Sequence, residues 1–91
     1  MTGTGEYGWR RRSLLETLAG HLPERGLASR MIGGEEPVLW IWHPRTRKQT
    51  IVFASPAKDG WLFLWSPDGQ ENAEEPGRAA ERIGKLLSQP V

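Results

Sequence analysis

The sequence contains no cysteine and only two histidines, His21 and His43, among its 91 residues. Without cysteine the chain has no disulfide, no thiolate metal ligand and no cysteine nucleophile. This composition fits a cytoplasmic protein, which is what we expect. The two histidines lack the H-x-x-x-H or H-x-H spacing of a metal-binding pair, so we predict no metal site. We interpret His21 as a helix-end residue and His43 as a turn residue.

A long apolar run is also missing. No run approaches the ~18 residues that a transmembrane helix needs, and Arg10–Arg12 is followed by a mixed segment instead of a secretory signal. We therefore predict no membrane partner. The length suits one domain. We expect residues 1–8, rich in glycine and threonine, to be a mobile tail, and residues 9–91 to form a single α+β domain.

Catalytic motifs are absent as well. None of the five serines lies in a G-x-S-x-G sequence, and Gly33-Gly34 lacks the residues that complete a phosphate loop. Asp59 and Asp68 are each followed by glycine, a pairing typical of turns. We predict no catalytic residue, no cofactor and no enzymatic activity.

The chain has no large excess of charge of either sign, since the net charge is +1, but the charges are unevenly distributed along it. Residues 1–48 hold eight basic and five acidic side chains, whereas residues 49–91 hold four and six. Two basic clusters are candidate phosphate contacts, although a solvated helix start and a hairpin tip explain them more simply. Their members are Arg10, Arg11, Arg12, Arg45, Arg47 and Lys48.

Two segments have helical periodicity. Apolar residues recur every three or four positions from about Trp9 to Leu22, where Pro23 ends the helix. The second helix is predicted over about Pro76–Ser88, because Pro76 suits a first helical turn and an apolar stripe follows it. That stripe consists of Ala79, Ala80, Ile83, Leu86 and Leu87.

Between the helices lie three predicted strands and one weaker candidate. The strands are residues 38–42, 50–54 and 61–65, each bounded by proline or glycine, and residues 26–32 are the weaker candidate. Short connections make neighbouring strands antiparallel. The predicted fold is a two-layer α+β sandwich, with a three- to four-stranded sheet and the order α-(β)-β-β-β-α.

These strands are apolar on both faces, which two short helices on one side do not explain. We expect Leu39, Ile41, Leu62 and Leu64 to pack beneath the helices. Alternatively, one helix covers each face and all the aromatics are core. In the first interpretation one aromatic face remains for a partner or ligand, made of Trp40, Trp42, Trp61, Phe63 and Trp65.

The stretch from Leu39 to Leu87 resembles a group of small actinobacterial proteins. The matching residues are His43-Pro44, Val52, Gly60–Trp65, Gly69, Ala79-Ala80, Ile83 and Leu87. The resemblance covers a little over half of the chain and implies a fold, but no activity. The layer order is also similar to that of secretion-chaperone-type α/β domains, which dimerise and bind other chains.

Three functions follow from the aromatic face and the basic clusters. The first is a non-catalytic protein-interaction module that contacts a second copy or another protein. The second is a binding protein for a small apolar metabolite, with the aromatics as pocket walls. The third is nucleic-acid binding through the basic clusters, against which the near-neutral charge counts.

Overall fold

A computed structural model describes residues 3–89, with side chains from residue 7 onward. Helix α1 spans Gly3–Gly20 and is followed by a short 3-10 turn, Pro23–Arg25. Five strands then run along the chain before a C-terminal helix. They are β1 (Ala28–Ile32), β2 (Val38–Trp42), β3 (Gln49–Ala57), β4 (Gly60–Trp65) and β5 (Gly69–Asn72), and the helix is α2 (Pro76–Ser88).

The strands form one antiparallel sheet in sequence order, with β1 and β5 at its edges. Its register pairs Leu39 of β2 with Val52 of β3, and Val52 with Trp65 of β4. The α+β class and the antiparallel sheet are therefore confirmed. The predicted count of three to four strands is wrong, because the polar segment Gly69–Asn72 pairs with β4 as a fifth strand.

Proline sets the helix boundaries as predicted. Helix α1 stops at Gly20, within two residues of Leu22, and α2 begins at Pro76 and ends at Ser88. The start of α1 differs, since it lies at Gly3 and not near Trp9. Part of the proposed mobile tail, residues 1 and 2, lies outside the described residues.

Both helices lie on the same face of the sheet and share one core with it. Leu15, Leu18 and Leu22 come from α1, while Ala79, Ala80, Ile83 and Leu87 come from α2. The sheet adds side chains that alternate along β2, β3 and β4, as expected for one buried face. These are Leu39, Ile41, Val52, Ala54, Phe63 and Trp65.

The expectation that the five aromatics share one face is wrong. Paired residues of an antiparallel ladder lie on the same face, and Ala54 pairs with Phe63 while Val52 pairs with Trp65. Trp61, Phe63 and Trp65 thus lie on the helix-covered face. Leu62 and Leu64, predicted beneath the helices, lie on the opposite face, whereas Leu39 and Ile41 are buried as predicted.

Candidate interaction surface

The sheet face opposite the helices carries a continuous set of apolar side chains, which we call the open face. Phe53 at its centre is 52% exposed and Ile51 is 37% exposed. Register assigns the set: Phe53 pairs with Leu64, and Ile51 with Trp40. Its apolar members are Ile32, Val38, Trp40, Trp42, Ile51, Phe53, Leu62 and Leu64.

Two of the predicted tryptophans anchor one side of the open face. The Trp40 and Trp42 rings lie 4.7 Å apart between centroids, tilted by 43°. The Trp40 Nε1 donates a hydrogen bond of 2.7 Å to the Gln49 side-chain oxygen on β3. Both tryptophans are half-buried. Because this bond satisfies the indole N–H group of Trp40, the ring can add apolar surface to the open face without leaving a donor unpaired.

Charge is almost absent from the open face. Among the residues that register places there, Arg30 on edge strand β1 is the only charged one. Charged side chains instead occupy the turns at its two ends. Glu35 and Glu36 lie in the β1–β2 turn, and Arg45, Arg47 and Lys48 lie in the β2–β3 turn. Lys58 and Asp59 form the β3–β4 turn at the same end as the two glutamates, and Asp68 lies in the β4–β5 turn at the other end.

A shallow groove of about 820 Å³ crosses the open face. Trp40, Ile51 and Phe53 supply its apolar wall, and Pro67 extends the wall from the β4–β5 turn. Gln49 and Ser66 supply polar groups at the same groove. Its volume is within the ~300–1,000 Å³ range of ligand sites.

The β2–β3 turn is fixed by hydrogen bonds from several directions. His43 Nδ1 accepts hydrogen bonds from the backbone N–H groups of Arg45 at 3.1 Å and Thr46 at 3.3 Å. The Thr46 hydroxyl donates to the Leu87 carbonyl near the end of α2 at 2.7 Å. His43 is thus a turn residue whose ring orders the basic segment.

The three aromatics of β4 are covered by the helices. Phe63 is fully buried. Trp61 meets the Tyr7 ring edge-to-face at 5.9 Å, and the Arg11 guanidinium lies 5.7 Å from its ring centroid. These contacts make Trp61 part of the packing between α1 and β4.

Trp65 is 7% exposed because Arg82 and Gly69 enclose it. The Arg82 guanidinium lies 5.5 Å from the Trp65 ring centroid. Gly69 lies opposite Trp65 in the ladder, and a Cβ at Gly69 would collide with the indole nitrogen. Only glycine leaves the indole room to lie across β5.

The structure does not join the two basic clusters. Arg11 takes part in packing within the domain, since its Nε donates a hydrogen bond of 2.9 Å to the Ala54 carbonyl oxygen. Arg10 and Arg12 are exposed on α1. Ala54 is five residues along β3 from the β2–β3 turn, which is roughly 17 Å. This separation does not favour one continuous phosphate-binding track.

His21 lies just beyond α1, with its Nδ1 3.6 Å from a Glu24 carboxylate oxygen. Among the described residues no group of three His, Asp or Glu side chains is placed to hold a metal ion. Within residues 3–89 no helix has the length and apolarity needed to cross a membrane.

Comparison with known proteins gave no relatives. A scan against models of protein families, a search of curated proteins and a search of solved structures each returned no match. The resemblance to small actinobacterial proteins stays a prediction.

Sequence reasoning placed Trp40 and Trp42 on the open face together with Val38, but missed its members on β3 and β4. It placed Leu62 and Leu64 in the core and gave no role to Ile51 and Phe53. A usable signal was present: the two-residue turn Lys58-Asp59 sets Ala57 opposite Gly60. Counting back from that pair places Phe53 beside Leu64.

Proposed function

We propose that this chain is a non-catalytic protein-interaction module whose open face packs against the open face of a second copy. The observation that carries the proposal is an apolar sheet face that neither helix covers, with Phe53 half exposed at its centre. An antiparallel sheet with helices on one side normally presents polar residues on the other. Here apolar residues occupy those positions in β2, β3 and β4.

The size of the open face fits an interface. Five strands ~4.8 Å apart and about five residues long cover roughly 400 Å². That area is within the ~300–600 Å² of the largest apolar patch on a typical monomer, and such patches are often functional.

The energetics also favour closure by a second copy. Burying about half of that footprint as apolar surface on each of two protomers stabilises the pair by about 10 kcal/mol gross, at ~25 cal/mol per Å². Association costs about 4–15 kcal/mol. A two-fold pair buries the same patch on both chains, and Arg30 alone brings charge to that patch. These magnitudes support self-association through this surface.

The test is a charge placed at the centre of the open face. Phe53→Lys puts an ammonium in the proposed interface, where it loses its hydration without a partner, so we expect a folded monomer. Trp9→Lys is the matched control, because Trp9 is 71% exposed on α1, away from the sheet. Sedimentation equilibrium over a hundredfold concentration range measures the mass of each variant.

We expect the wild-type chain and Trp9→Lys to reach the dimer mass, and Phe53→Lys to stay at the monomer mass with an unchanged circular dichroism spectrum. A wild-type chain that is monomeric at every concentration contradicts the proposal. So does a Phe53→Lys variant that dimerises as tightly as the wild type.

The groove on the same face favours a second candidate function, binding of a small apolar metabolite. Its apolar wall of Trp40, Ile51 and Phe53 with two polar groups has the composition of a ligand site. The probe is 1-anilinonaphthalene-8-sulfonate, whose fluorescence rises in apolar sites. Saturable binding of one dye per folded chain, lost in Ile51→Lys and kept in Trp9→Lys, supports this function. Its absence excludes dye-like ligands from the groove.

A further inference from the structure

The turns at the two ends of β2 carry opposite charge. We call residues 33–37 the acidic turn, which holds Glu35 and Glu36, and residues 43–48 the basic turn. The register pairs Ile32 with Val38 at one end of β2 and Trp42 with Gln49 at the other. The two turns are therefore separated by the five residues of β2, roughly 17 Å.

Both turns have defined backbones, from which the charged side chains extend. Gly33 opens the acidic turn with φ of 83°, and a Cβ there would lie 2.8 Å from the Glu36 carbonyl oxygen. The basic turn is held by the His43 ring and by the bond from Thr46 to α2. Side chains that extend from ordered turns keep their charges at defined ends of the sheet, which is what orientation of a partner requires.

The charged groups of both turns are free to meet a partner. Glu35, Glu36, Arg45 and Arg47 are all exposed. The ion pairs formed among the described side chains are His21–Glu24, Glu71–Arg82 and Glu81–Lys85. No charged side chain of either turn therefore forms an ion pair within the described part of the protomer. No acidic side chain on the open face offsets the basic turn.

Symmetry leaves two simple ways to place two open faces together. A face-to-face pair has its two-fold axis in the plane between the sheets. If the axis runs along the strands, the end of the sheet that carries the basic turn meets the same end of the partner's sheet. Because the basic turn adjoins central strand β3, the two basic turns then become neighbours. An axis across the strands reverses one sheet end to end, which sets each acidic turn opposite a basic turn, within about one strand spacing.

We infer that two copies pack through their open faces about a two-fold axis that runs across the strands, with the acidic turn of each copy against the basic turn of the other. This inference rests on the proposed function. It adds the orientation of the pair and the polar contacts that select it. By symmetry the contact forms twice, at opposite ends of β2. Like charges repel in the alternative arrangement, so the charge pattern specifies one orientation.

Cross-linking tests the orientation directly, because a chain without cysteine accepts uniquely placed ones. The variants are Glu36→Cys, Arg45→Cys and the double variant. A bismaleimide with a spacer of ~10 Å matches the spacing of packed sheets and is too short to join the two positions within one chain. We expect covalent dimers from the double variant and from mixed single variants, and none from either single variant alone.

Sedimentation of the untreated variants separates the two ways of failing. A dimer that cross-links through Glu36→Cys alone or Arg45→Cys alone has like ends together and overturns the inference, while the proposed function stands. A dimer in which neither the double variant nor the mixture of single variants cross-links overturns it equally. A monomeric wild-type chain overturns the proposed function as well.

Charge reversal tests the cause of the orientation. Glu35→Lys with Glu36→Lys makes both ends of the face basic, and Arg45→Glu with Arg47→Glu makes both acidic. We expect each reversed chain to self-associate about tenfold more weakly at low salt. The two reversed chains, mixed, should form heterodimers about as tight as the wild-type dimer. Heterodimers no tighter than the reversed homodimers overturn the inference.

Discussion

Two threonines near the β2–β3 turn differ in how their hydroxyl groups are hydrogen-bonded. Thr50 lies on the helix-covered face opposite Ile41 and is 8% exposed. Its hydroxyl oxygen makes no hydrogen bond to any described group. Thr46, four residues earlier, uses its hydroxyl fully, as a donor to Leu87 and as an acceptor from the Lys48 N–H at 3.1 Å. Two threonines in one hairpin thus have opposite roles.

Replacing Thr50 by valine should stabilise the protein. Valine has nearly the same shape and β-branching, and the change removes a buried hydroxyl without a partner, so we expect the free energy of unfolding to rise by about 1 kcal/mol. Thr46→Val is the matched control, which should lose about 1 kcal/mol because it breaks both bonds. Urea unfolding measures both. If Thr50→Val is destabilised as much as the control, the Thr50 hydroxyl has a hydrogen-bond partner and this prediction is wrong.

At the scale of elements, the two helices stabilise the fold by covering one sheet face. The apolar stripe of α2 follows the helical period, so Ala79, Ile83 and Leu87 all face the core. On α1, Leu15 and Leu18 do the same. A chain of this size is stable by roughly 5–15 kcal/mol. Each helix therefore depends on a few fully buried side chains.

Truncating one such side chain on each helix should cost much of that stability. We expect Leu18→Ala and Ile83→Ala each to lower the free energy of unfolding by roughly 2–5 kcal/mol, because each leaves a cavity in the shared core. Leu86→Ala is the control on α2, since Leu86 is only half-buried, and it should cost less. Urea or thermal unfolding measures the free energy of unfolding of each variant. An unchanged midpoint for Leu18→Ala or Ile83→Ala would show that its helix does not pack as described.

For the whole molecule, the proposed pairing of open faces implies that folding and association are linked. A partner that binds only the folded chain stabilises it in proportion to the logarithm of its concentration. A homodimer supplies that partner itself. Its stability then depends on protein concentration, whereas that of a monomer does not.

Thermal unfolding of the wild-type chain should therefore shift upward as protein concentration increases. The Phe53→Lys variant should unfold at the same temperature at all concentrations, because its surface no longer pairs. Differential scanning calorimetry from micromolar to millimolar concentration measures both. A wild-type midpoint independent of concentration argues against the dimer.

The sequence alone located both helices and four of the five strands. Prolines at 23 and 76 set the end of α1 and the start of α2, and β-branched and aromatic runs located β2, β3 and β4, although β3 continues through Pro56 to Ala57. Apolar periodicity found the stripe of α2, and alternation showed that both faces of the strands are apolar. These features are local, so a short window of residues contains the physical cause of each. The polar strand β5 lacks such a signal, because it forms by pairing with β4.

Only the tertiary structure decided which aromatics lie on which face. Alternation relates residues within one strand, but the match between strands depends on register, and a shift of one residue reverses every side chain. Phe63 therefore went to the core, and Phe53 to the open face. Long-range contacts also bury the tryptophans of β4, because Arg11 of α1 lies over Trp61 and Arg82 of α2 lies over Trp65. The surface that we propose for self-association exists because both helices pack on one side, which leaves the apolar residues of the other without cover.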